Sequence, residues 1–171
     1  MIGKKMQTAL NKQVNEELYS AYLYLSMSTD FQEKNLPGFA SWMEMQAQEE
    51  LAHAMQIYRH IQERGGRVLL DAIKKPPTEW KTSLEAFQAA YDHECYITGK
   101  IHDLVTLAHT EKDYAAANML QWFVDEQVEE ESSVDEVVQK LNFVGEDGRS
   151  MYILDKEMAE RQPSAATNEV K

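Results

Sequence analysis

Apolar residues recur every three to four positions along four long stretches of this chain, and few Gly or Pro residues interrupt them. This is the period of an amphipathic α-helix, with one face turned towards a core. The pattern and its breaks predict helices from about Met6 to Lys34, from Pro37 to Gly65-Gly66, from Thr82-Ser83-Leu84-Glu85 to a break at Glu111 to Asp113, and from there to Gly145. Residues 150 to 160 predict a shorter fifth helix.

Residues 67 to 81 form a long connection in which Pro76-Pro77 forbids helix. A tight turn between antiparallel neighbours needs fewer residues, so this segment predicts a crossover between helices 2 and 3. The expected fold is all-α: a four-helix bundle with that long crossover and a short fifth C-terminal helix. We expect one domain over residues 1–161 and a disordered tail over 162–171.

Composition narrows the function. The chain of 171 residues carries 17 Lys and Arg against 29 Asp and Glu, a net charge of −12. That balance argues against nucleic acid, which is bound through cationic side chains, and favours attraction of cations. No apolar run approaches the roughly 20 residues that span a membrane. The N-terminus lacks a signal-peptide core, so we expect a cytoplasmic protein, and the single Cys95 excludes an intrachain disulfide.

Each long helix carries polar groups of metal-ligand type within its apolar stripe. They are Glu17 in the first helix, Glu50 and His53 in the second, Glu94 in the third, and Gln127 and Glu130 in the fourth. Glu50 follows Glu17 by 33 residues, and Gln127 follows Glu94 by 33 residues. A lone Glu followed by a pair spaced i, i+3 therefore occurs twice, which predicts a pseudo-symmetric bundle with a two-metal centre.

The predicted centre has two unequal positions. We expect one metal ion among Glu17, Glu50 and His53. The second would lie among Glu50, Glu94 and Glu130, with Glu50 bridging and Gln127 a weak ligand. Oxygen ligands with one imidazole suit iron or manganese, and allow zinc. Singly, each residue has an ordinary alternative, such as a boundary Glu whose head reaches water or a hydrogen-bonded core His; the coincidence in four helices favours the metal centre.

Three further residue types were considered beside this centre. Tyr24 lies two turns beyond Glu17 on the same stripe, where it could bind a ligand, donate an electron or simply be a buried tyrosine. Cys95 is expected to be a plain buried thiol. The other four histidines match no carboxylate pattern and are expected at the surface or the boundary of the core; they are His60, His93, His102 and His109.

From Met6 to Arg161 the chain resembles the bacterial non-haem ferritins. The residues that carry the resemblance are Asn15-Glu16-Glu17-Leu18-Tyr19-Ser20-Ala21-Tyr22, Gln48-Glu49-Glu50-Leu51-Ala52-His53, His93-Glu94, Gln121-Trp122-Phe123 and Glu126-Gln127-Val128-Glu129-Glu130-Glu131. The Gln127 that departs from a symmetric di-iron motif matches this branch of the family.

The resemblance implies a ferritin-like bundle whose 24 copies form a hollow shell. It implies ferroxidase activity: Fe(II) and dioxygen are the substrates, and Fe(III) is stored as an oxide mineral. Ferroxidase ligands would be Glu17, Glu50, His53, Glu94 and Glu130, with Gln127 beside them. A third iron site would take Glu49, Glu126 and Glu129, and Tyr24 would take part in redox chemistry.

Related families are separated by single positions. Bacterioferritin-like chains have a haem-ligating Met where this chain has Ala52 and a His where it has Glu130, so no haem is expected. Rubrerythrin-like peroxidases need a cysteine quartet, and the mini-ferritins lack the fifth helix. Two other functions stay open at this point: substrate oxidation or peroxide reduction at a similar centre without a shell, and an assembly protein with a vestigial site.

Overall fold

The computed structural model describes residues 1–145 and 147–162 of the chain. Five helices account for the regular structure of these residues: α1 (Lys4–Glu33), α2 (Pro37–Glu63), α3 (Ser83–Thr110), α4 (Tyr114–Val144) and α5 (Gly148–Met158). The predicted fold class is confirmed, with each boundary close to its predicted place. None of the described helices combines the length and apolar character needed to cross a membrane. The predicted disordered tail lies outside the described residues except for Gln162, and the domain limit at residue 161 stays a prediction.

The helix ends follow the signals in the sequence. Pro37 is the first residue of α2, where its missing N–H is not needed. Gly65 follows the end of α2 with a φ of 71°, a left-handed conformation that glycine adopts without strain. At the start of α3, the Thr82 side chain accepts a hydrogen bond from the Glu85 N–H, while the Glu85 carboxylate accepts one from Lys81 rather than from Thr82.

Short turns join α1 to α2 and α3 to α4, so each pair is an antiparallel hairpin. The connection over residues 64–82 crosses from the end of α2 to the far end of the bundle. It runs beside α1, where three amide side chains one turn apart, those of Gln7, Asn11 and Asn15, hydrogen-bond its backbone between Arg67 and Ala72. These amides satisfy backbone groups that have no helix or sheet to pair with. The predicted crossover is therefore present and held along α1.

The core has two apolar parts with a polar layer between them. One part contains the ring cluster of Phe31, Phe39, Phe87 and Trp42. The other part contains Leu10, Ile57, Ile101 and Leu120 among its buried residues. The polar layer lies at mid-height of the four long helices; its residues are 4% exposed or less and are Glu17, Gln46, Glu50, His53, Glu94, Gln127 and Glu130.

Helix α5 packs against the start of α2. The Asp155 carboxylate accepts hydrogen bonds from the N–H groups of Gly38 (2.8 Å) and Phe39 (3.0 Å). A side chain at position 38 would collide with the backbone of Asp155, because a Cβ there would lie 1.6 Å from its carbonyl oxygen. Glycine at this position therefore allows the close approach of α5, which in turn supplies the capping carboxylate at a helix N-terminus.

The prediction of a buried Cys95 is wrong: this thiol is exposed. Its position on α3 is about 100° away from that of Glu94, which faces the centre of the bundle. That rotation directs the Cys95 side chain to the outer surface of the helix. His93, on the other side of Glu94, lies at the boundary of the core, as predicted, where its Nε2 is 2.8 Å from the Ser20 hydroxyl.

Candidate metal centre

The first half of the bundle brings three ligand-type side chains together. Glu17 of α1 and Glu50 and His53 of α2 each offer one atom, and these atoms lie within 4.8 Å of one another. All three residues are 1% exposed. Glu50 and His53 share a face of α2 because they are three residues apart, and His53 Nδ1 is 3.6 Å from a Glu50 oxygen. This is the trio predicted for the first metal position.

Two donor atoms of this trio lack a hydrogen-bond partner among the described residues. They are Glu17 Oε2 and His53 Nε2, and both are buried. The other Glu17 oxygen accepts a 2.9 Å hydrogen bond from the amide of Gln13, one turn earlier on α1. Unpartnered buried polar atoms are costly, since they have lost their hydration without compensation. A divalent cation coordinated by Glu17, Glu50 and His53 would remove that cost.

Burial raises the pKa of Glu17 to about 8, and the nearby charge of Glu50 adds to the rise. For His53 burial acts in the opposite direction, yet the carboxylates of Glu126, Glu50 and Glu17 outweigh it and hold the pKa well above its ordinary value. The acid groups thus favour their neutral form and the imidazole favours its charged form. A bound divalent cation reverses both preferences, because it binds carboxylates and neutral imidazole.

In the second half, the carboxylates make hydrogen bonds to other side chains. Glu94 accepts a short hydrogen bond from the Tyr24 hydroxyl, and its second oxygen is 3.4 Å from the Gln127 amide nitrogen. Glu130 accepts a short hydrogen bond from the amide of Gln46. Burial, together with the charge of Glu50, raises the pKa of Glu130 to about 8. Burial and the charges of Glu50 and Glu130 raise the pKa of Glu94 well above its usual range.

The second predicted metal position is arranged differently from the first. Glu130 joins His53 and Glu126 in a second group of possible ligands whose atoms lie within 4.8 Å of one another. Within the described part of the chain, Glu94 belongs to no such group, since its oxygens are directed to Tyr24 and Gln127. The set of Glu50, Glu94 and Glu130 as ligands of one ion stays a prediction. Their mutual influence on pKa places them in one electrostatic cluster.

The three residues expected at a third iron site lie in different surroundings. Glu49 is 1% exposed and forms an ion pair of 2.6 Å with Arg161. Glu126 has a side chain that is 11% exposed, 3.8 Å from His53 Nε2. Glu129 is exposed. Two of the three therefore line the inner side of α2 and α4, and the third faces outwards.

Comparison with known proteins settles the family. The family model described as a ferritin-like domain matches residues 7–144. This chain belongs to the ferritin family. It is 40% identical to a bacterial non-heme ferritin of Bacteroides fragilis over 94% of this chain and 100% of the relative. It is 39% identical to a probable bacterial non-heme ferritin-like protein of Haemophilus influenzae, over 92% and 96% of the two chains.

Solved structures agree with the fold. The chain is similar to an open pore ferritin from the hyperthermophilic archaeon Archaeoglobus fulgidus, with 52% identity, a TM-score of 0.94, and coverage of 95% of this chain and all of the other. A structure titled as a humanized archaeal ferritin matches with 52% identity and a TM-score of 0.94, covering 96% of this chain and 99% of the other. The resemblance to non-haem ferritins is confirmed, and family membership supports iron storage and homo-oligomeric assembly.

Sequence reasoning about this ferritin assigned no role to Gln13 and Gln46, which touch the predicted ligands. A signal for them was present: Gln46 follows Gln13 by 33 residues, the interval that separates Glu50 from Glu17. Each amide lies one turn before a ligand-type Glu on its own helix. The contact of Arg161 with Glu49 had no such signal, because 112 residues separate the two.

Proposed function

We propose that this chain is an iron-oxidising subunit of a ferritin shell, which binds Fe(II) in the polar layer of its bundle and oxidises it with dioxygen. The observation that carries the proposal is the buried trio of Glu17, Glu50 and His53, in which Glu17 Oε2 and His53 Nε2 have no partner among the described residues. Such atoms at the centre of an apolar bundle fit a cation better than they fit any structural role.

The first Fe(II) would bind to Glu17, Glu50 and His53, and would displace the protons that the raised pKa of Glu17 retains near neutral pH. The carboxylates around the centre stabilise Fe(III) over Fe(II), because the higher charge interacts more strongly with them. They thereby lower the free-energy cost of electron loss from the metal.

A second Fe(II) would bind to Glu50, Glu94 and Glu130, with Gln127 beside it. Binding there exchanges the hydrogen bonds from Tyr24 and Gln46 for bonds to the metal. Two irons a few ångströms apart allow one dioxygen molecule to take an electron from each of them. Tyr24, whose hydroxyl contacts Glu94, is suited to hold a proton at the centre or to supply a further electron.

The product Fe(III) would move from the centre into the cavity of a shell of 24 copies and be stored there as an oxide mineral. The assembly, the cytoplasmic location and a third iron at Glu49, Glu126 and Glu129 belong to this proposal, which includes no haem. The strong negative charge of the chain fits a protein that collects cations.

The test is stopped-flow oxidation of two Fe(II) per chain in air, comparing native protein with Glu50→Ala. Glu33→Ala is the matched control, because Glu33 is exposed at the far end of α1. We expect the fast phase to slow by about 100-fold or more in Glu50→Ala, as even partners outside the ligand set contribute about 10- to 100-fold at metal sites. Size-exclusion chromatography checks that each variant assembles as native protein does. Equal fast phases in all three proteins would refute the proposed centre.

A further inference from the structure

The residue that follows α5 reaches back to the metal centre. Arg161 donates a hydrogen bond from Nη2 to Glu49 Oε2 at 2.6 Å and one from Nη1 to the Trp42 carbonyl at 3.3 Å. Its guanidinium carbon also lies 4.2 Å from the centroid of the Trp42 ring, a cation–π contact. Three separate contacts therefore fix this cation, whose side chain is only 17% exposed.

The carboxylate that Arg161 binds lies beside the candidate ligands. Glu49 is one turn before His53 on α2 and directly precedes Glu50. Its charge is among the causes of the raised pKa of Glu130, which places it within electrostatic reach of α4. With its residue 1% exposed, this carboxylate is compensated mainly by the protein around it, and Arg161 supplies a full positive charge.

We propose that Arg161 is a resident counter-charge of Glu49, and that it controls whether a third divalent cation binds beside the two-metal centre. This inference rests on the proposed function, because it assumes that two ions already bind at the centre. A cation at Glu49 needs the same carboxylate oxygen that Arg161 occupies. It would also be repelled by a guanidinium a few ångströms away in a poorly hydrated setting. Arg161 must therefore leave Glu49 before a third ion can bind there.

The contacts of α5 allow Arg161 to be changed without undocking the helix. Asp155 caps the start of α2, and Leu154 and Met158 are buried against the core. Lys140 of α4 also pairs with Glu157 of α5 at 2.7 Å. These contacts are independent of Arg161, so removal of its charge should leave the fold of the bundle intact.

The experiment counts Co²⁺ ions bound per chain by isothermal titration calorimetry, supported by equilibrium dialysis, in the assembled protein. Two variants remove the charge: Arg161→Gln retains polarity, and Arg161→Met retains an apolar stem against Trp42. Arg149→Gln is the matched control, since it removes an exposed arginine at the other end of α5. The double variant Arg161→Gln with Glu49→Gln tests whether any added ion depends on Glu49.

We expect two ions in native protein and in Arg149→Gln, three in both charge-removing variants, and two again in the double variant. A merely structural role for Arg161 would lower the unfolding temperature without adding an ion. Two ions in Arg161→Gln or Arg161→Met proteins that remain assembled would overturn the proposal, as would three in native protein. Native protein that binds no Co²⁺ would instead refute the two-metal centre, which is a distinct failure.

Discussion

The two halves of the bundle share a repeat in sequence but differ in how they satisfy their carboxylates. In the α1–α2 half, Glu17 and His53 have atoms without partners beside Glu50. In the α3–α4 half, Glu94 and Glu130 accept short hydrogen bonds from side chains of α1 and α2. The first half is therefore arranged for a cation, whereas the second must give up hydrogen bonds to bind one. The difference predicts that two positions of related ligand type have unequal affinity.

The glutamines that precede the ligands reinforce this difference. Gln13 and Gln46 lie one turn before Glu17 and Glu50, but the corresponding positions of the second half are Ala90 and Phe123. The amide donors of the centre thus come mainly from one half. Gln127 is the exception, and it takes the place where a symmetric site would have another Glu.

The largest expected effect separates the two positions. Glu17→Ala removes a ligand of the first position only, whereas Glu94→Ala removes a ligand of the second. We expect Glu17→Ala to weaken binding of the first Co²⁺ ion by about 100-fold, with Glu94→Ala leaving it within a few-fold of native protein and losing the second ion. Calorimetric titration measures both steps. Equal losses of the first ion in the two variants would show that the halves are not distinct.

A second change makes the halves more alike. Gln127→Glu replaces an amide that donates to Glu94 with a carboxyl group in an already acidic, buried cluster. The metal-free protein should lose about 1–3 kcal/mol of stability, the range for leaving a buried hydrogen-bonding group without its partner. Zn²⁺ should restore much of the loss because the new group is a ligand.

Thermal unfolding of native and Gln127→Glu protein with and without Zn²⁺ measures this effect. Gln139→Glu is the control, since Gln139 is exposed on the same helix. A variant as stable as native protein without metal would contradict the hydrogen-bonding role assigned to Gln127.

The pH dependence should follow from the pKa of Glu17 and Glu130, which is about 8 for each against an ordinary value of 4.5. Between these values the native metal-free protein holds protons that the unfolded chain has lost, so its stability falls as the pH rises. Metal binding requires the ionised form and should strengthen over the same range, by about tenfold for each ion per pH unit up to pH 8.

Co²⁺ titrations at pH 6, 7 and 8 test this expectation. Glu17→Gln cannot ionise at position 17, so the first ion should bind more weakly and with a shallower dependence on pH. Native affinity that stays constant across this range would contradict the raised pKa of both carboxyl groups.

The smallest expected effect concerns the two glutamines. Gln46→Leu removes the amide that donates to Glu130, and Gln13→Leu removes the one that donates to Glu17. Each should change metal affinity by about tenfold or less, as one hydrogen bond contributes about 1 kcal/mol. Gln46→Leu should act on the second ion and Gln13→Leu on the first. An effect of either variant on the opposite ion alone would contradict the pairing of amides and carboxylates described above.

The amino-acid sequence by itself determined the helices and the residues of the polar layer. A helix of fixed period places every third or fourth residue on one face, so Glu17, Glu50, His53, Glu94, Gln127 and Glu130 could be assigned to the interior without knowledge of the packing. All six are buried. The long connection likewise indicated a crossover, because its length and its two prolines excluded a tight turn.

Only the tertiary structure decided what each buried group touches. The hydrogen bonds of Tyr24 to Glu94 and of Gln46 to Glu130 join different helices, and the ion pair of Arg161 with Glu49 joins residues far apart in the chain. Such contacts depend on the rotation and height of each helix relative to its neighbours, which the period within one helix does not contain. The same rotation made Cys95 exposed, because a residue beside the inward stripe is buried only where a neighbouring helix covers it.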